Sequence, residues 1–108
     1  MGLESRFIEQ DTVVGKVARY TEEATMKVTD YVVRTDTTDG AFDLKLPPVS
    51  EAKGRIYSIV QETSNNNLVV KDQGDSQLWS DKTITEADGN LVVYSDGFRW
   101  CILEFNAT

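Results

Sequence analysis

The sequence predicts an all-β domain, a compact antiparallel β-sandwich or jelly-roll-like barrel with an N-terminal arm. Three observations carry that expectation. Twelve valines and eleven threonines stand against two methionines, and β-branched residues suit pleated, half-buried surfaces. Short apolar runs alternate with Gly, Asn and Asp clusters about every eight to twelve residues, the punctuation of a sandwich or barrel. Finally, Phe42, Leu44 and Leu46 alternate with Asp43 and Lys45, the period of two that puts one face of a strand in a core.

Taken in chain order, residues 1–24 read as an arm or edge segment and residues 25–108 as the β domain. Arg6 to Gly15 contains the apolar pairs Phe7-Ile8 and Val13-Val14 without a sustained period. Lys16 to Met26 is ambiguous: Val17, Tyr20 and Ala24 fit helical spacing, whereas Val13, Val14 and Val17 fit a strand. Thr29–Arg34 and Ala41–Leu46 are the first clear strands, and Pro47-Pro48 ends the second by removing two backbone donors. Val49–Lys53 is the one place for a helical turn. Strands follow at Arg55–Gln61, Leu68–Lys71, Lys82–Thr85, Leu91–Tyr94 and Phe98–Phe105. Between the last two, Ser95-Asp96-Gly97 has the positive-φ tolerance that a tight hairpin demands. The final strand reads apolar on both faces, with Phe98, Trp100 and Ile102 on one and Cys101, Leu103 and Phe105 on the other. Either it is covered on both sides within the domain, or its second face meets another subunit.

Composition narrows the function. A chain of 108 residues allows one domain. Its apolar runs are too short for a membrane-spanning helix, and Met1 to Arg6 lacks the pattern of a signal peptide. Without histidine, imidazole acid–base chemistry and His-dependent triads fall away. A single cysteine, Cys101, gives neither an internal disulfide nor a cysteine-based zinc site, and beside Trp100 it reads as a small buried hydrophobe. Eleven Lys+Arg against eighteen Asp+Glu give a net charge of −7, a field that repels nucleic acid and anionic membrane. A protein partner is expected instead.

Carboxylates are the remaining acid–base groups. Asp36 and Asp39, and again Asp72 and Asp75, stand three residues apart in loops. Such pairs could hold calcium or serve a glycosidase, but neither matches an EF-hand loop, and turn geometry alone accounts for them. Trp79, in Gln77-Leu78-Trp79-Ser80-Asp81, reads as a lid over the β core, with a sugar platform or an interface anchor as alternatives. No enzyme activity, metal or cofactor is expected.

The run Tyr31-Val32-Val33, Phe42 to Pro48, Lys53 to Ile59, Asn67 to Val70 and Tyr94-Ser95-Asp96-Gly97-Phe98-Arg99-Trp100-Cys101-Ile102 resembles a small β module of tailed-phage virion proteins. The resemblance covers residues 28–105. It implies a homotrimeric capsid decoration (cement) protein on the outer surface of the virion, bound to the major capsid protein. The alternative it implies is a glycan-binding, host-recognition module of a tail fibre or spike. In this reading Arg6, Phe7, Ile8, Val13, Val14, Tyr20 and Trp79 are the expected partner contacts. Residues Arg6 to Tyr20 then contribute more to partner binding, by strand addition to a neighbouring edge, than to domain stability.

Overall fold

The structure is a computed structural model and describes residues 17–107. The expected contacts Arg6, Phe7, Ile8, Val13 and Val14 lie outside the described residues. Nine strands form two sheets: β1 (Val17–Tyr20), β2 (Ala24–Thr25), β3 (Val32–Thr35), β4 (Phe42–Lys45), β5 (Ile56–Gln61), β6 (Leu68–Lys71), β7 (Lys82–Ile84), β8 (Asn90–Ser95) and β9 (Trp100–Asn106). Among the described residues there is no helix. The all-β expectation therefore holds.

The antiparallel expectation does not. One sheet has the order β1-β3-β5-β8-β9 and the other β2-β4-β6-β7. The chain passes from one sheet to the other at each of its first five connections, so β1, β3 and β5 pair in parallel, as do β2, β4 and β6. Only from β6 onward does the pairing turn antiparallel, at β6–β7, β5–β8 and β8–β9. The cause is where each loop goes. A hairpin returns the chain to its own sheet and reverses it, whereas a loop that crosses to the opposite sheet lets the next strand resume the earlier direction. Both kinds of loop use the same Asp, Asn and Gly residues. The expected boundary near residue 24 falls inside the structure: Val17–Tyr20 is the edge strand of the five-stranded sheet, and Ala24 opens β2.

Alternation explains which residues enter the core. In β4 Phe42 and Leu44 are buried, in β5 Tyr57, Ile59 and Gln61, in β6 Leu68 and Val70, and in β8 Leu91, Val93 and Ser95. The apolar side chains among these, from both sheets, with Val33, Ile84 and Trp100, form one buried cluster, and Gln61 and Ser95 are buried polar residues. Pro47-Pro48 stops β4, and the turn that follows, with the Ala52 N–H donating to the Pro48 carbonyl over 3.1 Å, tucks Val49 and Ala52 into the same cluster. At the β8–β9 hairpin the Asp96 carboxylate accepts the Phe98 and Arg99 N–H groups, both at 2.8 Å, while Gly97 takes φ +96. Here the sequence reading and the structure coincide.

One end of the core is polar and fully bonded. Gln61, buried, accepts from the Thr35 hydroxyl (2.6 Å) and donates to the Thr37 hydroxyl (3.0 Å) and the Asn66 carbonyl (3.2 Å). Asn66 in turn donates to the Thr37 carbonyl over 2.7 Å. The loops after β3 and after β5 are thereby locked together, and buried amide and hydroxyl groups avoid the desolvation cost of standing unpaired.

Candidate functional site

The two sheets present different outward faces. On the four-stranded sheet the outward residues are Thr25, Asp43, Lys45, Val69, Lys71 and Thr83, with Lys71 paired to Asp43 at 3.0 Å. That face is polar and suits water. On the five-stranded sheet one outward row runs Val17, Val32, Ser58, Val92, Glu104 across all five strands. A neighbouring row carries Ile56, Tyr94 and Cys101. Val17 is 50% exposed and Ile56 45%. Ser58 interrupts the row and Glu104 ends it, yet this face carries large apolar side chains in water that the other face lacks.

The same sheet is polar at its other end. Arg19 donates to both carboxylate oxygens of Glu62 (3.2 and 3.1 Å) and to Asp36 (2.8 Å), and Arg34 donates to Glu62 over 3.0 Å. The Arg19 hydrogen bond, seconded by Arg34, holds the Glu62 carboxyl below its ordinary range. Hydrogen bonds from Thr38, with Arg19 nearby, do the same for Asp36. On the outward face of this sheet the strongly exposed Val17 and Ile56 thus stand at the end where β1 and β5 begin.

Strand β9 adds an edge. It closes one side of the five-stranded sheet, and its exposed apolar side chains are Ile102, Leu103 and Phe105. Ile102 stands opposite Val93 and Phe105 opposite Leu91, so both point to the side where β8 is buried. Yet they remain 43% and 41% exposed. The register shift between Val92 and Val93 explains why the sequence pattern put Ile102 on the right face but misplaced Phe105. One extra residue on β9, Leu103, breaks the alternation and turns Phe105 away from the face of Cys101. Phe98 lies in the hairpin rather than in the strand and is 70% exposed. At the start of β9 the inner face is covered: Trp100 is buried, edge-on to Tyr57 with ring centroids 5.6 Å apart, and its backbone N–H donates to the Ser76 hydroxyl. Further along, what meets β9 from the four-stranded side is polar. The Lys82 ammonium lies 5.8 Å from the Phe105 ring, and the Thr85 hydroxyl donates to the Ala107 carbonyl.

Tyr20 and Trp79 are both half-buried against the core. Tyr20 packs against the core, its hydroxyl donates to Asp30 over 2.5 Å, and burial raises its phenol above the ordinary range. Trp79 also packs against the core, with a buried indole Nε1 that has no acceptor among the described residues. That is the lid position. The residue beside it is what the sequence reading missed: Leu78 is 86% exposed and adopts φ +64, a strained conformation for a bulky side chain. The Gln77 N–H donates to the Phe98 carbonyl (3.4 Å), which joins the Leu78 loop to the Phe98 hairpin. A leucine in a polar loop gives no sequence signal for this.

The paired loop aspartates serve the fold. Asp36 accepts from the Thr38 N–H and hydroxyl, Asp72 from the Ser76 N–H, and Asp75 from the Val49 N–H. An open groove of about 450 Å³ beside β2 and β4 is rimmed by Glu22, Glu23, Asp39 and Asp43, a surface that repels anions. Comparison with known proteins finds no matching family model and no matching curated protein.

Proposed function

We propose that the chain is a structural virion protein, a homotrimeric decoration (cement) protein on the outer surface of a tailed-phage capsid, with the major capsid protein as its partner. Its two sheets serve as a sandwich-like slab, and its work is mechanical rather than enzymatic. The observation that carries this reading is the asymmetry of exposure. One outward sheet face is charged and solvent-compatible, while the other, with edge β9 and the Leu78–Phe98 tip, keeps large apolar side chains in water.

Such a domain binds by burying that surface. At roughly 25 cal/mol per Å² of apolar area the gross gain from a modest contact is large, and the costs of association take back much of it. Each copy that bridges a seam adds contacts that shell expansion must break, and repetition over a shell multiplies the effect. The net charge of −7 directs the chain away from packaged nucleic acid and toward the outside.

Copy number in purified virions tests the proposal. A decoration protein is abundant and leaves with the head fraction when heads and tails are separated. A scarce chain that copurifies with tails would replace this reading with the fibre or spike module.

A further inference from the structure

The four-stranded sheet is one strand short of the sheet it faces. It ends at β7, and β7 lies under β9: the Lys82 ammonium stands 5.8 Å from the centre of the Phe105 ring, and the Thr85 hydroxyl donates to the Ala107 carbonyl. Among the described residues no strand continues the sheet beyond β7. The inner side chains Ile102 and Phe105, opposite Val93 and Leu91, therefore stay partly in water. One wall of this opening is the backbone edge of β7 and the other is apolar. Such an edge is a template for an added strand.

The chemistry of the opening narrows what fits it. Lys82 stands opposite buried Val70 in the β6–β7 ladder and so points inward. Among the described residues it has no carboxylate partner. The occupant therefore combines an apolar side chain for Ile102 and Phe105 with a carboxylate for Lys82, on one face of an extended segment. In the sequence that precedes β1, Phe7 and Glu9 have that spacing. Asp11 and Val13 repeat it with a smaller apolar group.

Reach decides which copy donates. The segment joins the domain at Val17 in β1, at the far edge of the five-stranded sheet. Four strand spacings, about 19 Å, and a sheet separation of about 10 Å lie between Val17 and the opening. Ten extended residues reach at most about 36 Å, too little to pass round β9 and turn inward.

We propose that the opening between β7 and β9 is a docking site for residues 7–9 of a second copy of this chain. They add a fifth strand at the β7 edge, with Phe7 over Ile102 and Phe105 and Glu9 against Lys82. The contact rests on the self-association proposed above but not on the number of copies.

Amide hydrogen exchange at β7 of the full-length chain, with mass read by sedimentation in parallel, tests this. In the unchanged, associated protein the expected result is protection of the β7 amides that do not bond to β6, reduced about tenfold on dilution to single chains. Glu9→Lys or Lys82→Glu alone should lower that protection to a similar degree, the two together should restore it, and Asp11→Lys should leave it unchanged. Melting curves confirm folding, and Glu9→Gln and Lys82→Gln are the milder pair. An associated chain whose β7 edge amides are unprotected overturns the docking site, as does a double reversal that restores nothing. Protection that survives dilution to single chains overturns the second copy as donor. Protection lost in Asp11→Lys but kept in Glu9→Lys overturns the choice of residues 7–9. A chain that sediments singly at micromolar concentration removes the self-association itself, and this contact with it.

Discussion

The outward face of the four-stranded sheet and that of the five-stranded sheet are built from the same kind of strand and face the same solvent, yet they are composed oppositely. Asp43, Lys45 and Lys71 dominate the first, whereas Val17, Val32, Ile56, Val92 and Tyr94 occupy one end of the second. Folding does not require this difference, because the inner faces of both sheets already supply the buried cluster from Val33 to Trp100. What the contrast teaches is that the residues that hold the domain together lie inside, so the exposed apolar end is surplus to folding. In the proposed reading that end is the contact for a partner.

The largest test of that separation removes a leucine from each side of it. Leu44→Ala, in the fully buried interior, should cost about 2–5 kcal/mol in urea unfolding. Leu103→Ala, at a residue 57% exposed, should cost well under about 1 kcal/mol when the chain is held monomeric. Comparable losses would break the comparison.

Gln61→Ala follows in size. It leaves the buried Thr35 hydroxyl without its acceptor, while the Thr37 hydroxyl and the Asn66 carbonyl each lose one partner and keep their 2.8 Å bond to one another, and chemical denaturation should show a loss of about 1–3 kcal/mol. A neutral result would mean that packing alone joins the two crossover loops.

Lysine placed on each outward face sharpens the contrast further. Val69→Lys sits among Asp43, Lys71 and Thr83 on the polar face and should change stability by no more than about 0.5 kcal/mol, with association intact. Val92→Lys, in the apolar row, should be equally tolerated by the monomer but should weaken self-association. Equal effects on association from both would show that the faces do not differ in role.

Much of this was readable in the residues. The alternation through Phe42, Leu44 and Leu46 and the double proline fixed β4, and Ser95-Asp96-Gly97 fixed the hairpin. Sheet assignment was not readable. The loops around Asp39-Gly40 and Asp88-Gly89 have hairpin chemistry, yet both carry the chain from one sheet to the other, and local turn preference says nothing about which sheet receives the next strand. The site was half readable. Two-faced apolarity in Trp100–Phe105 signalled an edge with unusual exposure, but the extra residue Leu103 reassigned Phe105 to the opposite face. Leu78 was invisible, since its exposure comes from a positive φ that leucine rarely adopts.

Acidification should have the smallest effect, acting through carboxyls lowered on folding: Glu62 and Asp36 at the polar end, and Asp96, held down by the Phe98 and Arg99 N–H groups, in the β8–β9 hairpin. Arg19 and Arg34 lower the Glu62 carboxyl, and Thr38 with Arg19 lowers that of Asp36. Groups depressed on folding stabilise the protein above their unfolded values, near about 4, and lose that contribution as pH falls through the folded ones. Melting temperature should therefore decline below about pH 4, and Glu62→Gln should flatten the decline while leaving chain association at neutral pH unchanged. A Glu62→Gln variant with an unaltered acid limb would assign the decline to other carboxylates.

Sedimentation of the unmodified chain, followed from micromolar concentration downward beside Val92→Lys and Val69→Lys, tests the central claim most directly. The account predicts a particle of three times the 12.1 kDa chain mass for the unmodified protein and for Val69→Lys, and a shift toward one chain mass for Val92→Lys. A unmodified chain that sediments at 12.1 kDa at micromolar concentration would contradict it.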